Sequence, residues 1–148
     1  MNKWLYSING MKASIDDNFT TDSFGFIYKI TNLETNKFYI GKKVFVYNKK
    51  KKLTKKELAE QSGPGRKSTS KVVQTESDWK TYWGSSKELL SDVKLLGEDK
   101  FEKLILITCH SKKSLTYYEL FYQVHYNVLQ VESYNDNILG KFYRKDLL

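Results

Sequence analysis

Residues 24–47 read FGFIYKITNLETNKFYIGKKVFVY. Two runs rich in Phe, Tyr, Ile and Val, FGFIYKIT and FYIGKKVFVY, flank the polar segment Asn32 to Lys37, and this pattern predicts a β-hairpin. The runs carry Phe26-Ile27-Tyr28 and Tyr39-Ile40-Gly41, with ten residues between the tyrosines. On adjacent strands joined by a short turn, the tyrosines can lie close on one face, so that two phenol hydroxyls converge on one point. Two tyrosines facing a core would produce the same pattern, because aromatic and β-branched residues are what a pleated, half-buried strand prefers.

Charge is concentrated just beyond this stretch. From Lys37 to Lys71 there are twelve Lys or Arg against Glu57 and Glu60, a local +10 in a chain whose net charge is +8. The remainder is therefore about −2. A basic excess confined to one quarter of the chain points to an anionic polymer. A membrane surface is the rival partner, but no strongly apolar helix face accompanies the charge. The segment from about Asn48 to Ser77 reads as an insertion. KKKKLTKKELAEQ places Thr54 and Glu57 at capping-box spacing, predicting a short helix, and SGPGRKSTSK has the composition of a mobile loop. A lysine run is usually a solvated surface; beside this hairpin it reads as a phosphate-contacting arm.

The rest of the 148 residues frames one domain. Trp4, Leu5, Tyr6 and Ile8 suit an edge strand and Asp16-Asp17-Asn18 a loop. Trp79, Tyr82 and Trp83 fall within five residues, and the two tryptophans read equally as packing groups or as platforms for an unpaired base. Ser85 with Glu88 fits a capping box, Leu89, Leu90, Val93 and Leu96 have helical spacing, and Gly97 stands where a helix should stop, so a helix is expected over 86–96. FEKLILIT, residues 101–108, suits a central strand. Residues 115–129 read as a second helix capped by Ser114, with Leu115, Glu119, Tyr122, Gln123 and Tyr126 on one face. A carboxylate among aromatics is the odd member. Cys109, the only cysteine, excludes a disulfide framework and reads as a buried small hydrophobe. His110 and His125 have no metal-ligand spacing, and no nucleotide-binding glycine loop is present. Neither a secretory signal nor a transmembrane-length segment is visible, so an intracellular protein is expected.

The paired triplets resemble the signature of the GIY-YIG nuclease family. Phe26 stands where that family usually has Gly, with Gly25 one place earlier, and Tyr39-Ile40-Gly41 is followed by Lys42, a position often basic in the family. The segment YWGSSKELLSDVKLLGEDKFEKLIL, residues 82–106, is also similar to YxGSGKxLxxAIxKYGxxxFxxxIL of phage-associated homing-type members. The resemblance covers about Ser23 to Ile138 and implies an α/β (α+β) fold, a small central antiparallel sheet flanked by helices. Residues 1–22 would be an N-terminal extension and 23–148 the nuclease domain, with the basic insertion at about 48–77.

The same resemblance implies a metal-dependent DNA endonuclease of phage or homing type, similar to the stand-alone Seg-type enzymes. In that reading Tyr28 is the general base, Tyr39 positions water or phosphate, Lys42 stabilises the phenolate, and Glu119 holds Mg²⁺ or Mn²⁺. Asn135 matches the late asparagine of the family, with Asn137 close by. DNA contacts are expected from Lys43, Lys49, Lys50, Lys51, Lys52, Arg66, Lys80 and Lys87. The family arginine about ten residues after the second tyrosine is here Lys49, which cannot offer the bidentate grip of a guanidinium. That departure favours a rival reading, a catalytically impaired nucleic-acid-binding module of the same fold. With little chain left for a separate reading domain, a homo-oligomer is one route to cutting both strands.

Overall fold

The computed structural model describes residues 3–16, 19 and 21–147, which fall into two compact units, residues 1–45 with 78–148, and residues 46–77. The first unit is built on a five-stranded sheet in the order β2-β1-β7-β3-β4, with β1 at Trp4–Ile8, β2 at Met11–Ser14, β3 at Gly25–Asn32, β4 at Phe38–Val44 and β7 at Phe101–Cys109. The fold is α+β, as the sequence implies, but the sheet is mixed. β1 joins β7 in parallel, pairing Trp4 with Lys103, whereas β3 runs antiparallel to both β4 and β7. Residues near the N-terminus thus supply an interior strand as well as an edge: Asn9 and Gly10, both at positive φ, form the two-residue turn that folds β2 back onto β1. Of the loop expected at Asp16-Asp17-Asn18, only Asp16 lies within the described residues.

Alternation along β3 sends two sets of side chains to opposite faces. Phe26, Tyr28 and Ile30 share one face, where Phe26 meets Trp4, Phe45 and Trp79 with ring centroids 4.8–6.1 Å apart. The Trp4 indole Nε1 donates to the Trp79 carbonyl at 2.7 Å. Trp79 is therefore a core residue, and Trp4 and Phe26 are fully buried. The other face carries Ile27, packed with Ile40, Leu115, Val128 and Leu129. Burying each such side chain contributes about 1.5–3 kcal/mol.

α2 spans Lys87–Leu96 and α3 Lys112–His125. Ser86, rather than Ser85, caps α2, accepting from the Leu89 N–H. α3 begins three residues before the expected start because Ser111 and Ser114 form a reciprocal capping box. It ends four residues early, with Asn127 in the left-handed region at φ 55°. Two-residue strands β8 (Asn137–Ile138) and β9 (Phe142–Tyr143) follow. No helix among the described residues is long and apolar enough to cross a membrane.

The second unit is a two-stranded antiparallel ribbon with a helical connection. β5 (Val46–Lys52) pairs with β6 (Ser70–Glu76), and α1 (Lys55–Ala59) lies between them in sequence, held by the Thr54–Glu57 capping box that the sequence predicts. The lysine run is a strand.

Candidate active site

Tyr28 and Tyr39 are brought together by register. Tyr28 stands opposite Gly41, and Tyr39 opposite Ile30, which places the tyrosines diagonally across β3 and β4 with ring centroids 6.1 Å apart. Gly41 is what permits it. A Cβ built there would lie 2.5 Å from the Tyr28 hydroxyl and 2.8 Å from a Tyr39 ring carbon. Gly25 meets a different demand, since a Cβ there would lie 2.6 Å from the Lys43 carbonyl oxygen. A bulge at Ile27/Tyr28 against β7 shifts the pairing so that Tyr28 faces Ile105, a local device for re-aiming a side chain.

β4 is an edge strand, and the candidate residues lie on both sides of it. On the tyrosine side, Tyr39 exchanges a 3.0 Å hydrogen bond with Ser85, and Tyr82 meets Tyr28 edge-on at 6.0 Å. Lys43 lies 3.9 Å from the Tyr82 ring centroid and pairs with Asp78 at 2.6 Å. Alternation puts Ile40 and Lys42 on the α3 side. There Lys42 pairs with Glu119 at 3.7 Å and lies 3.5 Å from the Thr116 hydroxyl. A polar cleft of about 410 Å³ borders Tyr39 and is lined further by Ser85, Ser86, Lys87, Glu88 and Asp136.

Electrostatics couple the two sides. Burial pushes the Tyr28 hydroxyl well above the ordinary phenol range, and Tyr39, Tyr82 and Glu119 add to it. Tyr39 is raised as well, chiefly by burial, against which its hydrogen bond to Ser85 works. Desolvation raises Glu119, and Lys42 opposes that shift. Both phenols are accordingly protonated at neutral pH.

Asn135 is held elsewhere. Its Oδ1 accepts from the Ile40 N–H at 3.0 Å and its Nδ2 donates to the Ile40 carbonyl at 2.9 Å, and the Gln123 amide donates to the same carbonyl at 3.1 Å. Asn135 is 4% exposed, with both ends of its amide committed to the backbone between Tyr39 and Gly41. Arg144 supports this segment, donating to the Val128, Val131 and Asn135 carbonyls. The other arginine, Arg66, belongs to the second unit with Lys49, Lys50, Lys51 and Lys52. Asn137 lies in β8, and its side chain caps the Gly140 N–H.

Among the described residues, no group of three or more His, Cys, Asp or Glu is placed to hold a metal ion. A cation that needs an all-protein cage does not fit. Glu119, a carboxylate with 16% of its side chain exposed, fits Mg²⁺ or Mn²⁺, hard cations that keep bound waters and take substrate oxygens as further ligands. Sequence reasoning missed Tyr82, although three aromatics between Trp79 and Trp83 marked the segment. It also missed the pairing of Lys42 with Glu119.

No curated protein and no solved structure matches the chain. A family model described as "Putative endonuclease segE, GIY-YIG domain" matches residues 4–146.

Proposed function

Because the chain belongs to the segE-type GIY-YIG family, a nuclease-domain family, we propose that it hydrolyses phosphodiester bonds of DNA in a divalent-cation-dependent reaction. The observation that carries this is the pairing of two phenols, with ring centroids 6.1 Å apart, on one side of the edge strand whose other side presents the Glu119 carboxylate beside Lys42. Hydrolysis needs an activated water, neutralised charge at phosphorus and a stabilised leaving oxygen. Glu119 would hold the cation, which when bound supplies Lewis-acid polarisation of the phosphate. Tyr28, in its deprotonated fraction, takes the proton of the attacking water, and Tyr39, set by Ser85, positions water or phosphate. Lys42, once released from Glu119, and Lys43 offer positive charge toward the phosphate, and Lys80 and Lys87 extend that charge along the backbone. Asn135 acts through Ile40, fixing the strand that carries Tyr39 and Gly41. The likeness to homing-type enzymes extends the proposal to a phage-borne endonuclease, with two copies acting together when both strands are cut.

The rival is a DNA-binding module that has lost the chemistry. It is favoured by one observation, that Arg144, the arginine in the same unit as Tyr28 and Tyr39, is committed to the Val128, Val131 and Asn135 carbonyls. Incubation with supercoiled plasmid separates the two. Nicking with Mg²⁺ that EDTA abolishes, and that is lost in Glu119→Gln while DNA is still retained, is the expected result. Shifted but intact plasmid under all conditions would establish the binder instead.

A further inference from the structure

The second unit carries nine Lys or Arg against three Glu in 32 residues, a net +6. Its ribbon sorts side chains by register into two faces. One holds the cross-strand pairs Asn48 with Gln74, Lys50 with Val72, and Lys52 with Ser70. The other holds Lys71, which ties α1 to the ribbon through its 2.6 Å pair with Glu57. The first face is open. Asn48, Lys50, Lys52 and Gln74 are exposed, and Val72 is 63% exposed. Neither amide makes a side-chain hydrogen bond among the described residues. A surface serving only to grip phosphates would be cationic throughout. Here two opposed amides and an exposed valine interrupt the lysines.

Each of these groups has a counterpart in duplex DNA. Asn and Gln side chains form bidentate pairs with the N6 and N7 edge of adenine, an apolar side chain meets the thymine methyl, and the major groove, about 12 Å wide, admits a two-stranded ribbon. Lysines flanking the readers supply phosphate contacts that set register without carrying sequence information. We propose that this face of the β5–β6 ribbon enters the major groove, with Asn48 and Gln74 determining sequence preference and Lys50 and Lys52 contacting phosphates. The proposal rests on duplex DNA being the substrate of this chain.

The test reads binding without cutting, so that it stands apart from the nuclease assay. Full-length protein in EDTA is used to select bound duplexes from a randomised library by gel shift, followed by sequencing. Wild type should enrich a short motif containing adenine. N48A/Q74A should lose that preference by about tenfold or more at one to three adjacent positions, while total DNA affinity changes by less than about threefold, a good bidentate contact being the unit of discrimination. K50A/K52A should keep the motif, weaken all sequences alike and reduce the slope of log K against log salt by about 1.8. Replacing the motif adenines with 7-deazaadenine should reproduce the loss seen with the amide variant. If circular dichroism shows that the alanine pair disturbs the ribbon, N48V/Q74V, which favours strand, takes its place. An unchanged motif in the amide variant, no motif in wild type, or no DNA binding at all would each overturn the proposal. A motif without plasmid nicking would leave it standing and remove the nuclease reading.

Discussion

Gly41 lies opposite Tyr28 in the β3–β4 ladder, and the Tyr28 phenol occupies the space that any side chain at 41 would need. The glycine is thus a steric condition for both tyrosines. Gly41→Ala should force the Tyr28 and Tyr39 rings aside, overpacking a site that costs about 1–3 kcal/mol to disturb. Plasmid nicking should fall about 10²-fold, the scale of a 1 Å misplacement, with DNA retention much less affected. Nicking rate and melting temperature measured on one preparation check this; an unchanged rate would mean that the ring positions do not matter to the chemistry.

Tyr28 gives a pH signature. Its hydroxyl is held well above the phenol range by burial, with Tyr39, Tyr82 and Glu119 adding, so the deprotonated form is a small and growing fraction as pH rises. If Tyr28 accepts the proton of water, kcat/KM should climb about tenfold per pH unit from neutrality into the alkaline range. Tyr28→Phe should lower the rate by roughly 10² to 10⁴ and flatten that climb, whereas Tyr39→Phe should cost less. A Tyr28→Phe profile with the wild-type slope would assign the proton to another group.

Asn135 should behave as a positioning residue. Asn135→Ala leaves the buried Ile40 N–H without its acceptor, a penalty of about 1–3 kcal/mol plus about 1 kcal/mol for the lost donor to the carbonyl. Asn135→Asp keeps the acceptor but sets a carboxylate against the Ile40 carbonyl, and it too should destabilise. Urea unfolding should register both losses. An amide that acts only on substrate would leave the unfolding midpoint unmoved while the rate fell.

Lys103 is a second consequence of the β7 register. It is 2% exposed, sits 4.2 Å and 4.5 Å from the ring centroids of Trp4 and Trp83, and is lowered by burial to about 7. The unfolded chain holds this proton to a higher pH than the folded one, so stability should rise with pH between about 7 and the ordinary lysine range and level off below 7. Lys103→Met, which fills the same space without charge, should raise stability by a few kcal/mol at or below pH 7, with the gain shrinking as pH rises, since each tenfold loss of proton affinity on folding costs about 1.36 kcal/mol. Thermal unfolding of both proteins from pH 6 to pH 10 checks the sign.

The hairpin was legible because its two strands obey local rules: aromatic and β-branched residues on either side of a polar turn, with tyrosines at a spacing that register brings together. The α1 capping box and the Gly97 stop of α2 were legible for the same reason. Longer-range facts were not. Nothing local to Trp4 says that its strand pairs in parallel with β7 nearly a hundred residues on. Asn135 was singled out only by its match to the late asparagine of the family; its backbone partner, Ile40, is remote in sequence, and nothing local points to it. Lys103 was hidden in a run read only as apolar; its period-two relation to Phe101 and Ile105, both buried, was the signal that placed it on the core face. Lysines 49–52 read as an arm because four consecutive charges mask the alternation by which a strand divides them between two faces.

Phe45 and Trp79 stand on either side of the second unit in sequence, yet their rings meet edge to face with centroids 5.0 Å apart. The packing of the first unit is thus closed at the two points in sequence where the chain leaves and re-enters it, before Val46 and after Ser77. Because the two ends of that excursion are already held together by packing, lengthening, trimming or replacing it carries only a small loop-closure penalty. A different ribbon could be grafted between the same two rings without reopening the sheet. In a lineage of such chains, the inserted ribbon and the tyrosine site are free to change at different speeds, one under selection for where to act and the other for how.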